Sequence, residues 1–176
     1  IVGAALLLAV IGTGIYLGFT PYGFFGMRRL FPKTLTPGTA AYAKFQEASK
    51  ALGEDTFEGY KRVLSDAESL LAENDAVIES RALFAQAVFY LKRRYFAADD
   101  KLPKAKLYLD ELVLAAKDKP EVIKARAGFH LLKGEEAQIR AQLESAASRK
   151  DDPEFLFLLA ESYYRERNVK PAAEAL

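Results

Sequence analysis

Two stretches, PEVIKARAGFHLLKG at residues 120–134 and PEFLFLLAESYYRER at residues 153–167, decide how the chain is read. Each opens on a proline that follows a short charged run. Proline suits the first turn of a helix, where its missing N–H has no partner to lose. Behind each proline, apolar residues recur at intervals of three and four, the period of an amphipathic helix. The two prolines stand 33 residues apart. Equivalent helix starts at a fixed spacing mark repeats, and repeats of paired helices mark a solenoid.

Working outward, Gly134 breaks the first of these helices (Glu121 to Lys133), and a partner helix runs from Glu135 to Arg149. The last unit has a helix from Glu154 to Arg167 and a further helix starting near Lys170. Upstream, helices are expected over Ala40 to Leu52 and Thr56 to Ala72, with Gly53 supplying the break. Phe45, Ala48 and Leu52 line one apolar stripe; Phe57, Tyr60, Leu64, Ala67 and Leu71 line the next. Asn74 and Asp75 then make a turn. A long helix from Ala76 to Ala98 and a second from Pro103 to Lys117 follow, joined by the polar, irregular link AADDKLP. The expectation is an all-α domain over 39–176, built of hairpins at about 40–73, 76–117, 120–149 and 153–176, the last truncated. No segment after Thr39 reads as strand.

Leu156, Leu159, Ala160, Tyr163 and Ala172, after Asp152–Pro153, carry a pattern that resembles the tetratricopeptide repeat. The preceding unit matches in outline with Ile123, Ala127, Gly134, Leu143 and Ala146. It departs where His130 stands for a tyrosine and Ile139 for a small residue. The second unit keeps Ala82, Ala105, Leu109 and Leu112 around an insertion, and the first is recognisable only as a hairpin. The resemblance implies small residues where helices approach closely and large apolar ones filling the seam. It also implies that the first helices of successive pairs line a concave, protein-binding surface. Carried onto this sequence, the candidates are Gln86, Tyr90, Arg93, Lys124, Leu131, Phe157, Tyr164 and Arg165. Tyrosine and arginine suit such a surface because they bury area and still offer hydrogen bonds. The run LKRRYFA, Leu91 to Ala97, is the sharpest basic cluster. Lys92, Arg93 and Arg94 there read as a solvated helix end or as a receptor for acidic groups, blunted by Asp99 and Asp100.

The other end of the chain is different in kind. Ile1 to Phe19 holds no charged side chain, and none appears before Arg28. A helix of that length spans roughly 30 Å, the thickness of bilayer hydrocarbon. A transmembrane helix over 1–20 and a juxtamembrane linker over 21–38 are therefore expected. Tyr22, Phe24 and Phe25 fit an interfacial aromatic belt, and Arg28 and Arg29 fit lipid head groups. Gly14 and Gly18 form a GxxxG pair suited to self-association. The basic flank by itself favours a cytoplasmic repeat domain. Likeness to bacterial proteins with one span and an extracytoplasmic repeat domain points the other way, to an inner-membrane protein facing out. The start at Ile1 and the stop at Leu176 inside a helical pattern read as a fragment.

The chain of 176 residues is 51% hydrophobic, 28% charged and carries net charge +1. About 140 residues remain beyond the anchor, enough for one core. The balanced charge gives no ground for a nucleic-acid partner. Cysteine is absent, and His130 is the sole histidine, so neither thiolate chemistry nor a zinc site is expected. Acidic pairs such as Glu135–Glu136 and Asp151–Asp152 read as helix starts. The expectation is a non-enzymatic, cofactor-free, membrane-anchored scaffold that binds protein segments during assembly of an envelope complex. Two other readings are a permanent structural subunit and the non-catalytic arm of an enzyme whose active domain lies elsewhere.

Overall fold

A computed structural model describes residues 3, 10–14, 32–147, 152–165 and 169–174, and the chain divides into two units, Ile1–Pro32 and Lys33–Leu176. In the first unit Gly3 and residues 10–14 are helical. The rest of the expected 1–20 span lies outside the described residues, as do Gly18, Tyr22, Phe24, Phe25, Arg28 and Arg29. Among the described residues no helix is long and apolar enough to cross a membrane.

The second unit is all-α among its described residues. Its helices are α1 (Ala40–Leu52), α2 (Phe57–Glu73), α3 (Ile78–Tyr95), α4 (Leu102–Ala116), α5 (Pro120–Lys133), α6 (Ala137–Ala147), α7 (Pro153–Arg165) and α8 (Val169–Glu174). A 3-10 turn, Asp99–Lys101, leads into α4. Threonines start the first two helices. Thr39 Oγ1 accepts from the Tyr42 amide at 3.2 Å and Thr56 Oγ1 from the Gly59 amide at 3.0 Å, each satisfying a donor that the first turn leaves unpaired. Gly59 has little choice of residue: a Cβ there would lie 2.8 Å from the Thr56 hydroxyl.

Two breaks and one stripe residue differ from the expected ones. Gly53 keeps a right-handed φ of −70°, and Asp55 turns the chain instead with φ 50°. A short polar side chain tolerates that conformation better than most. The long helix stops at Tyr95, short of Ala98, because Phe96 is left-handed at φ 55°. The Phe96 and Ala97 amides fold back onto Lys92 and Leu91 carbonyls. Phe57, expected in an apolar stripe, is a half-exposed first-turn residue whose ring meets Tyr95 edge-on at 5.2 Å.

Helix α3 is the centre. It packs against α1, α2, α4 and α5, and every residue from Ile78 to Leu91 is buried. A helix covered on all sides has no polar face to display, which is why IESRALFAQAVFYL shows little amphipathic contrast. Phe84 and Phe89 are fully enclosed, each burial stabilising by roughly 2–3 kcal/mol. Next along the chain, α5 packs against α3, α4, α6 and α7, and α7 against α5, α6 and α8. At the α3–α5 crossing Gly128 lets the backbone lie on Tyr90, where a Cβ would stand 3.1 Å from Cε1. Ahead of α1, Lys33 makes an isolated parallel bridge to Val77. Its amide donates to the Ala76 carbonyl at 3.3 Å, and its carbonyl accepts from the Ile78 amide at 2.9 Å. Glu79 completes the fastening, accepting from the Leu35 amide and from Lys119 Nζ, both at 3.1 Å.

Candidate binding face between α1 and α7

The last turn of α1, the Gly53–Asp55 loop and the first turns of α7 face one another across a cleft of about 500 Å³. Tyr60 of α2, Tyr90 of α3 and Lys124 of α5 lie in it too. A second cleft of about 580 Å³ shares Ser49, Lys50, Lys124, Asp152 and Glu154 with the first and extends toward Gln86. The two form one continuous face along α1, α3, α5 and α7.

The tyrosines sit ring to ring at 5.4 Å. Tyr60 donates its hydroxyl to Asp55 Oδ1 at 2.5 Å, and Tyr90 points its own at Glu154 Oε1, 3.4 Å away. Burial raises the pKa of both phenols, and the Asp55 contact at Tyr60 and the Glu154 charge at Tyr90 add to it. Both therefore remain protonated donors. Lys124 Nζ lies 2.6 Å from Asp152 Oδ2 and 2.7 Å from Glu154 Oε2. Burial alone would lower its pKa, but the two carboxylates outweigh burial and hold it above the usual lysine value. Burial also pushes Glu154 up, against the pull of Lys124. With two carboxylates facing one ammonium, the lysine stays charged and the excess charge rests on the acids. Asp152 also caps α7, its Oδ1 accepting from the Glu154 amide at 3.0 Å.

Of the residues expected to line a groove, Tyr90, Lys124 and Phe157 share the first cleft and Gln86 joins through the second. Gln86 is buried and donates to the Glu121 carbonyl at 3.0 Å. Tyr164 meets Phe157 in a separate, mostly apolar cleft of about 400 Å³ between α7 and α8. Arg93 is not on the surface: its side chain is 5% exposed, bonded to Glu161 at 2.9 Å and stacked 5.4 Å from the Tyr90 ring. Leu131 is a correction. It is 0% exposed and belongs to the core. Its carbonyl accepts from Arg165, whose guanidinium also meets Glu136 at 3.0 Å, so Arg165 too is tied to the α5–α6 side. The basic run is not a free patch. Lys92 pairs with Asp99 at 2.6 Å, and Arg94 with Asp55 at 2.8 Å.

Asp55, Tyr60, Asp152 and Glu154 escape the sequence reading. Asp152 and Glu154 carry only the signature of a helix start, and Asp55 that of a turn. His130 is buried, with Nδ1 3.2 Å from Glu135, and burial lowers its pKa. Among the described residues no group of three or more His, Cys, Asp or Glu could hold a metal ion. No protein-family model, no curated protein and no solved structure matches the chain.

Proposed function

We propose that this chain is a membrane-anchored scaffold, without catalytic activity of its own, that holds protein segments on the face formed by α1, α3, α5 and α7. The observation that carries this reading is the continuous pair of clefts, floored by two protonated tyrosines and edged by Leu52 and Phe157. Aromatic floors with fixed polar groups suit contact and hydrogen bonding to a peptide. In this reading the hairpins form a tetratricopeptide-like solenoid. The prolines at the starts of α5 and α7, and the packing of each odd-numbered helix on the next, support it.

The anchor rests on the uncharged run from Ile1 to Phe19 and the aromatic and basic residues after it. The proposed setting is a bacterial inner membrane with the helical domain on the outer side, in an envelope assembly. Protease protection of the domain in sealed vesicles of known orientation decides the side. For binding, a displayed peptide library is selected on the wild-type chain and rescreened on Phe157→Ala and Ser49→Trp, both in the first cleft. Selected peptides should bind at least one variant about tenfold more weakly. Undiminished binding to both would remove the concave face from consideration.

One observation favours a permanent structural subunit instead. Leu107 and Leu114 lie two turns apart on α4, and Leu114 is 73% exposed. An apolar stripe on that face suits lasting assembly. Co-purification that survives dilution, and is lost in Leu114→Asp while peptide binding persists, would select that reading.

A further inference from the structure

The binding face is not evenly charged. Among the described residues its α5–α7 wall carries Glu121, Asp152 and Glu154 against one cation, Lys124: three negative and one positive, a net of −2. The Lys124 ammonium lies between Asp152 and Glu154, so among the described residues one of these two carboxylates is uncompensated. Glu121 makes no ion pair among the described residues, although its main-chain carbonyl is taken by Gln86. The opposite wall carries Lys50 at the end of α1. Asp55 adds nothing there, because Arg94 matches it at 2.8 Å. Apolar surface from Leu52, Pro153 and Phe157 borders the acidic wall.

We infer that the face takes an extended protein segment carrying a lysine or arginine beside an apolar residue. The cation sits against Asp152, Glu154 and Glu121, and the apolar neighbour rests on Leu52 and Phe157. This rests on reading the face as protein-binding. A second cation relieves the excess that two close carboxylates keep around one ammonium, whereas an acidic side chain adds to it. The distances at Lys124 show that the wall already holds an ammonium at hydrogen-bonding range.

The test uses the full chain in detergent micelles and three fluorescein-labelled peptides, Gly-Leu-Xaa-Leu-Gly with Xaa as lysine, norleucine or glutamate, followed by anisotropy. The lysine peptide should bind about fivefold more tightly than the norleucine peptide, and the glutamate peptide most weakly. Added salt at about 0.5 M should shrink the gap. The pair Asp152→Asn and Glu154→Gln, which keeps the helix cap, should cut the preference for lysine over norleucine to under about twofold. Glu121→Gln removes a charge with no partner to strand, so it should fold normally and lower the preference partway. Equal binding of all three peptides, or a lysine preference indifferent to these variants, overturns the inference and leaves the protein-binding reading standing. Preference for glutamate overturns it as well. No binding of any peptide at about 1 mM sinks both.

Discussion

At the N-terminal end of α3, Arg81 is closed into the protein; at the C-terminal end, Arg94 borders an open cleft and its neighbour Arg93 is buried. Arg81 Nη1 meets Glu111 Oε2 at 2.8 Å with both side chains under a tenth exposed, Nε donates to the Asp75 carbonyl, and the guanidinium lies 4.9 Å from the Tyr108 ring. Glu111 belongs to α4, so this pair locks one hairpin. Arg93 and Arg94 reach further along the chain. They share Glu161 of α7, and Arg94 also holds Asp55 of the α1–α2 loop. Arg93 Nε and Nη1 and Arg94 Nε have no acceptor among the described residues, against Nη2 alone at Arg81. The same chemistry thus does two jobs: one end seals a hairpin, and the other draws two distant segments, α7 and the α1–α2 loop, toward α3.

The largest expected effect lies at the sealed end. Glu111→Ala strands a buried guanidinium and should cost about 3–5 kcal/mol in urea unfolding. Replacing both partners, Arg81→Met with Glu111→Leu, should recover most of that loss. A single variant costing under about 1 kcal/mol would erase the contrast between the ends. At the open end Glu161→Ala removes a charged acceptor that is a fifth exposed, and should cost about 1.5–3 kcal/mol. It should also weaken peptide binding, which Glu111→Ala at matched temperature below its transition should not.

The smallest effect is a pH dependence that leaves both arginine ends charged. Burial, helped by the Arg126 charge, lowers the His130 pKa below its ordinary 6.5, although the Glu135 contact opposes this. Between those two values the unfolded chain binds more protons than the folded one. Stability therefore falls as pH drops through that window. The urea midpoint should be lower at about pH 5.5 than at about pH 7.5, and His130→Gln should narrow the difference. An identical pH profile in the variant would assign the dependence to other groups.

The helices were legible because their signals are local: Pro120 and Pro153 at the starts, Gly134 left-handed at φ 73° at a stop, and apolar spacing between. The end of α3 was not, because nothing in YFA announces that Phe96 turns left-handed. The fate of LKRRY was equally hidden. Its partners Asp55 and Glu161 lie 39 and 68 residues away, and no window of sequence pairs them. Leu131 shows the limit of register. Its place on α5 differs little from that of Lys124 seven residues earlier, yet Leu131 is fully buried and Lys124 stands beside a cleft.

The fastening of Lys33 and Leu35 to the foot of α3 has a mechanical consequence. A pull arriving from the N-terminal side at Pro32 meets the Lys33–Ile78 and Lys33–Ala76 bonds before it reaches α1. Tension is thereby delivered to the central helix, and the first hairpin lies inside a closed loop where it bears no load until those bonds part. Stretched from that side, the domain should resist at its middle first and unravel at its beginning second.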